Sequence, residues 1–410
     1  MAQATSHPQG RAAFASRKAA LLALLLLPAL LFAAPDREAP DRVPGRKPAR
    51  VIQDPAAFAR KLHAHGHMAK GGIARSKTEK DDDREKSFPH FTSSFTYHGV
   101  KYPFTMVGYP PASGRTTTLR SVIVPLRMRF VFFEDNPIVF EPGKAVDNII
   151  KSPLYREASF PNGIGQFGDQ MQRATFWNKM DAQHRWHVKM DRPRVTRTFD
   201  ILVEPDIGEL FLTGPAGDPN TLLIGNMRIG AMDSTIHTIL QSIDVQPDEV
   251  PIFVTYNVIA DALGYHDAFS VGKDDGTDVL QTLIFTSWLE PAAFGDLLAD
   301  VSTFNHELGE LLNDPYVNNI VPTWMYPPPT DPRTVCSFNP FLEVGDPQGN
   351  GPTFDDFPTV PIDLNGYTYH LQDLVMLPWF TGENPSSAQN GWYDFPDTTQ
   401  ITAPFVACSP

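Results

Sequence analysis

Residues 304–315 read Phe-Asn-His-Glu-Leu-Gly-Glu-Leu-Leu-Asn-Asp-Pro, and within them His306, Glu307 and Glu310 form an H-E-x-x-E cluster. Side chains four residues apart on an α-helix share a face, so the His306 imidazole and the Glu310 carboxylate can reach one cation. The cluster departs by one residue from H-E-x-x-H. There, two side chains one turn apart hold zinc and the intervening Glu takes a proton from water. Glu310, standing where that pattern has its second His, can also bind zinc, through oxygen. The chemistry these residues point to is metal-assisted hydrolysis with Glu307 as general base.

A centre of this kind needs a third ligand. Glu343 is the first choice and Asp346 the next, both in Phe-Leu-Glu-Val-Gly-Asp-Pro at 341–347. Asp314 lies eight residues beyond His306, but it precedes Pro315, and the residue before a proline tends to leave helical geometry. Tyr265 and His266, in Gly-Tyr-His-Asp, are candidates to stabilise an oxyanion, with His266 an alternative ligand. A structural histidine with satisfied hydrogen bonds is the competing reading of His266. Asp274-Asp275-Gly276 and Asp355-Asp356 could hold calcium, although they lack the regular ligand ladder of an EF-hand. His63, His65 and His67 alternate and could loosely hold a metal, or simply be solvated.

On a helical wheel Leu297, Val301, Phe304, Leu308, Leu311 and Leu312 gather on one side. Thr303, His306 and Glu310 gather on the other, with Glu307 at the edge. A ligand-bearing face and a solvated face give the same wheel. Gly309 costs a helix about 1 kcal/mol relative to Ala and marks close approach of a ligand or a neighbouring strand.

The surrounding elements alternate in character. Phe95, Tyr97, Val100, Tyr102 and Phe104 flank His98-Gly99 as a hairpin. Ser121–Phe133 reads as a strand that Pro125 places at a sheet edge or a bulge. Asp169–Met180 reads as a helix, and Val195–Glu204 and Glu209–Thr213 as strands. Asp233 or Ser234 can cap a helix carrying Ile236, Ile239, Leu240 and Ile243 on one face. Pro251–Ile259 and Leu280–Leu289 are apolar strands, and Leu371–Phe380 is a short helix or buried turn.

Arg11, Arg17 and Lys18 precede an apolar run, Ala19 to Ala34, broken only by Pro28. That is the layout of a secretory signal, too short for a comfortable membrane span. The expectation is a secreted or periplasmic protein with no transmembrane segment after cleavage, and an uncleaved anchor is the alternative. Residues 1–88 hold 16 Lys and Arg against 9 Asp and Glu, and the remainder 18 against 38. An acidic body of that kind repels phosphate, which excludes nucleic acid as a partner. The partner expected instead is an unidentified extracellular substrate or protein. Only Cys336 and Cys408 are present. They exclude a thiolate-rich zinc finger and could form one disulfide in an oxidising compartment.

Read in order, the C-terminal half resembles the plant phosphate-induced, EXORDIUM-like secreted proteins. The residues that carry the resemblance are Leu263-Gly264-Tyr265-His266, Trp288, His306 to Glu310, Asp314-Pro315, Asn318 and Glu343-Val344-Gly345-Asp346. The chain is also similar to secreted bacterial proteins of unassigned function, in Gln166–Trp177 and Leu371–Phe380. The cysteines that the plant pattern places before Gly264 and after Asp346 are absent, which leaves any shared disulfide without its partners. The resemblance implies an extracellular protein linked to growth control and does not itself imply proteolysis.

Together these readings give an α+β protein: a signal peptide (1–34), a disordered linker or pro-segment (35–88), a β-rich region (89–225) and a zincin-like α/β region carrying the H-E-x-x-E helix (226–410). A single compact unit over 89–410 is the alternative. The function expected is an exported zinc-binding protein acting as a peptidase-like hydrolase. The alternative is a non-catalytic secreted or envelope-associated protein of the same fold.

Overall fold

The computed structural model describes residues 50–51, 87–132, 136–215, 217–272, 278–291, 293–294, 298–324, 339–348, 358–384 and 391–401. The expected signal peptide, almost all of the linker, the histidines at 63, 65 and 67, Leu297, both cysteines and the two aspartate pairs proposed for calcium lie outside the described residues.

The first long elements are β1 (His90–Tyr97) and β2 (Val100–Val107), an antiparallel hairpin turned at His98-Gly99. Both turn residues have positive φ, as a tight two-residue loop requires. β3 (Thr116–Phe130) is the spine of an eight-stranded mixed sheet. It pairs in parallel with β4 (Phe199–Val203) on one side and with β5 (Glu249–Tyr256) on the other. Beyond β5 come β6 (Gly264–Gly272) and β7 (Asp278–Trp288). β7 lies parallel to β5, and β6 closes the edge antiparallel to β7.

Pro125 sits in the central strand opposite Val254, not at a sheet edge, and the register with the chain on its other side slips by one residue between Ile123 and Leu126. Its missing N–H is tolerated because the neighbour on the other side changes there. Residues 194–195 pair with Val122 and Ile123, and β4 takes over only at Leu126.

β5 is buried from Glu249 through Thr255, as a strand covered on both faces must be. Successive side chains enter different cores. Ile252, Val254, Ala268 and Ile284 face α1 (Gly143–Ile149), α2 (Phe167–Phe176) and the motif helix. Val122, Val124, Phe253, Tyr265 and Phe285 pack with Met232, Ile236 and Ile239 of α3 (Ile229–Leu240).

α3 begins one turn earlier than its expected cap. It follows Arg228 and has no side-chain cap of its own. The Ile229 N–H is instead accepted by Asp261 Oδ2 at 3.1 Å, a carboxylate that also suits the helix dipole. Ser234 lies inside the helix, its hydroxyl donating to the Gly230 carbonyl at 2.8 Å.

The motif lies on α4 (Ser302–Asn313). After it come the hairpin β8 (Thr359–Leu364) and β9 (Tyr367–Gln372), then β10 (Leu374–Val375) and α5 (Leu377–Thr381). The main sheet takes strands from both sides of residue 225, and the described residues all fall within one unit, Gly45–Pro410. Its mixture of helices and many small sheets is of the α+β class. Among the described residues no helix is long and apolar enough to cross a membrane.

Candidate metal centre

Every residue of α4 is buried. That excludes the solvated reading of its wheel, because no face of the helix is left to solvent. Phe304, Leu308, Leu311 and Leu312 enter the first core. The polar side is enclosed by β6, by residues 342–348 and by the end of β9. Gly309 marks a neighbouring strand: a Cβ there would overlap Leu374 Cδ1 on β10.

His306 is held at both ends of its ring. Its Nδ1 lies 3.0 Å from Gln372 Oε1, and Gln372 Nε2 donates to the Gly345 carbonyl at 2.6 Å. That second bond fixes the amide so that oxygen faces the imidazole, which makes Nδ1 the protonated donor. Nε2 then faces Glu310 Oε1 at 3.0 Å and Asp346 Oδ1 at 3.5 Å. Gly345 passes directly against the ring, where a Cβ would overlap it.

His266 is arranged in the same way from β6. Its Nε2 lies 3.2 Å from the Asp314 carbonyl, which can only accept, so Nε2 is the donor there and Nδ1 is turned toward the carboxylates. Nδ1 faces Glu310 Oε2 at 3.3 Å and Glu307 Oε2 at 3.5 Å. The two histidines therefore approach different oxygens of one carboxylate. Two groups of potential ligands result: His266, Glu310 and Glu343, and His306, Glu310 and Asp346, with ligand atoms within 4.8 Å of one another in each.

These residues are 0–4% exposed. Among the described residues no Lys or Arg is buried, so within the described core histidine is the basic side chain available to four carboxylates. Burial opposes a charge on His306, but Glu310 and Asp346 outweigh it and hold the imidazole well above its ordinary pKa. At the end of α4, burial pushes the Asp314 carboxyl up to about 6 against the pull of the Asn318 and Asn319 N–H groups. Its carboxylate accepts from those two amides at 2.9 and 3.1 Å, which occupies it away from the ligand groups.

The fold thus brings together His306, Glu307, Glu310, His266, Glu343 and Asp346, in a different grouping from the one expected. Glu343 joins His266, and Asp346 joins His306. Tyr265 is not part of this assembly. Alternation along β6 turns it to the opposite face, where its ring lies 5.4 Å from that of Phe285. Burial first, then the charges of Asp233 and Asp267, push its phenol well above the ordinary value. Gln372 escapes sequence reasoning because it belongs to no motif; its only signal is a place at the start of the Leu371–Phe380 segment.

The described residues therefore hold buried His, Glu and Asp groups able to bind a metal ion. Mixed imidazole and carboxylate donors suit zinc and other first-row divalent cations, whereas purely structural zinc sites favour thiolates. No protein-family model, no curated protein and no solved structure matches the chain.

Proposed function

We propose that this chain is an exported zinc-binding protein whose centre on α4 supports metal-assisted hydrolysis. The observation that carries the reading is the convergence of His306 Nε2 and His266 Nδ1 on the two oxygens of buried Glu310. Each ring is oriented through its other nitrogen, as ligating histidines are. A divalent cation among these donors supplies one thing, a lowered pKa for a nearby water. Glu307, 3.5 Å from His266 Nδ1, would take a proton from that water and pass it to a leaving group.

A second reading has its own support. With the candidate ligand residues 0–4% exposed, the centre is closed in the manner of a structural site. Here the metal would tie α4, β6 and residues 342–348 together in a non-catalytic protein.

Elemental analysis of the purified full-length protein tests both, with His306→Ala and Glu307→Gln beside it. Fluorescent casein and p-nitrophenyl acetate serve as hydrolysis probes. The hydrolase reading expects metal loss in the first variant, and retained metal with lost hydrolysis in the second. Bound metal with no turnover of either probe by the wild type favours the structural reading. Metal-free wild type overturns both.

A further inference from the structure

We propose that the centre is dinuclear, with Glu310 as a bridging carboxylate between two first-row divalent cations. This rests on the metal-binding reading above and goes beyond it in number and arrangement.

The first ground is the division of Glu310. A single ion would draw both imidazoles toward one point. Here His306 Nε2 addresses Oε1 at 3.0 Å, while His266 Nδ1 addresses Oε2 at 3.3 Å. One ligand on each oxygen is the arrangement of a carboxylate spanning two ions about 3.5–4 Å apart.

The second ground is that each half has its own further carboxylate. Glu343 completes a set with His266 and Glu310, and Asp346 completes a set with His306 and Glu310. Only Glu310 is common to both. Glu343 and Asp346 are three residues apart, with Gly345 between them against the His306 ring. One turn of backbone thus delivers a ligand to each ion.

Spacing is the third ground. Ligand atoms about 2.0–2.1 Å from a tetrahedral ion stand about 3.4 Å from one another. Of the three separations between a ring nitrogen and a carboxylate of its own set, 3.0, 3.3 and 3.5 Å, the last two lie beyond a charge-assisted hydrogen bond and near that value.

Charge supplies the fourth. Glu307, Glu310, Glu343 and Asp346 bring four carboxylates into an interior where, among the described residues, no Lys or Arg is buried. Two divalent cations balance four carboxylates and leave both histidines neutral, as ligation requires.

The test uses the full-length protein, stripped with chelator and reloaded separately with Zn2+ and Mn2+. Two equivalents per chain are expected. The Mn2+ form should give the electron paramagnetic resonance spectrum of an exchange-coupled pair. Glu343→Gln and Asp346→Asn, on different halves, should each reduce loading to one equivalent and replace that spectrum with one of an isolated ion. If one variant does not fold, the other and the wild-type spectrum still decide. One equivalent in the wild type overturns the dinuclear centre but leaves a mononuclear site standing. Two equivalents without coupling also overturn it, by placing the second ion elsewhere. No bound metal removes the metal-binding reading as well.

Discussion

His306 Nδ1 lies 3.0 Å from Gln372 Oε1, and Gln372 in turn is fixed by donating to the Gly345 carbonyl. A residue 66 positions away in the chain therefore selects the His306 tautomer and aims its other nitrogen at Glu310. Outer partners of this kind are worth about 10–100-fold in metal affinity. Gln372→Leu should weaken metal binding by that factor, measured by competition with a chromogenic chelator. Its far-ultraviolet circular dichroism should match the wild type. Unchanged affinity would mean that the His306 ring is positioned without Gln372.

Gly345 gives a steric test of the same ring. An added methyl would overlap the imidazole, so either His306 turns away or the 342–348 segment retreats. Gly345→Ala should cost about 1–3 kcal/mol of stability, the usual range for overpacking, and lower metal affinity as well. Chemical denaturation with and without metal separates the two effects. The loss should be larger in the metal-loaded protein, because displacement of His306 removes a ligand.

A pH dependence is built in away from the ligands. Asp373 and Asp394 are buried neighbours, with Gln348 Nε2 2.6 Å from Asp373 Oδ2 and 3.3 Å from Asp394 Oδ2. Burial, then the neighbouring carboxylate of Asp394, holds Asp373 well above the ordinary range, and burial pushes Asp394 up to about 6. Between an unfolded aspartate near 3.8 and those raised values, the native state keeps protons that the unfolded chain has released. Stability from this pair is therefore fully present below about pH 4 and falls as pH rises through 6, by at most about 1.4 kcal/mol per pH unit for each proton. Asp394→Asn removes one charge and can still accept the Ile401 N–H. Thermal melts from pH 4 to 8 should be flatter in the variant than in the wild type. An equal slope in both would place the pH dependence elsewhere.

Much of the local structure was legible because periodicity reports which faces a segment has. The α4 wheel, the hairpin at His98-Gly99 and the buried run of β5 all follow from residue spacing. Periodicity does not say what covers a face. The wheel of α4 could not distinguish ligands from a solvated stripe, and the burial of all its residues excludes the solvated stripe. The same limit explains the ligand grouping. Glu343 and Asp346 were visible as donors, but their division between His266 and His306 depends on how residues 342–348 cross α4. The sheet edge expected at Pro125 and the start of α3 were misplaced for a related reason. In each case a partner distant in sequence, the change of neighbour beside β3 or the Asp261 carboxylate, satisfies what local rules assign to the segment itself.

Tyr265 is where that limit can be checked by mutation. It adjoins His266 in sequence, yet the two side chains leave β6 on opposite faces, one toward α3 and one toward α4. Tyr265→Phe keeps the ring against Phe285 and removes only a phenolic hydroxyl, so its effect on stability should stay within about 1 kcal/mol. Metal affinity and any hydrolysis by the protein should be unchanged. His266→Ala removes a donor from the set shared with Glu310 and Glu343, so it should lower metal loading. Measuring loading in the two variants side by side separates the faces of the strand. A Tyr265→Phe variant that bound less metal would mean that β6 presents both residues to the centre, contrary to its pleat.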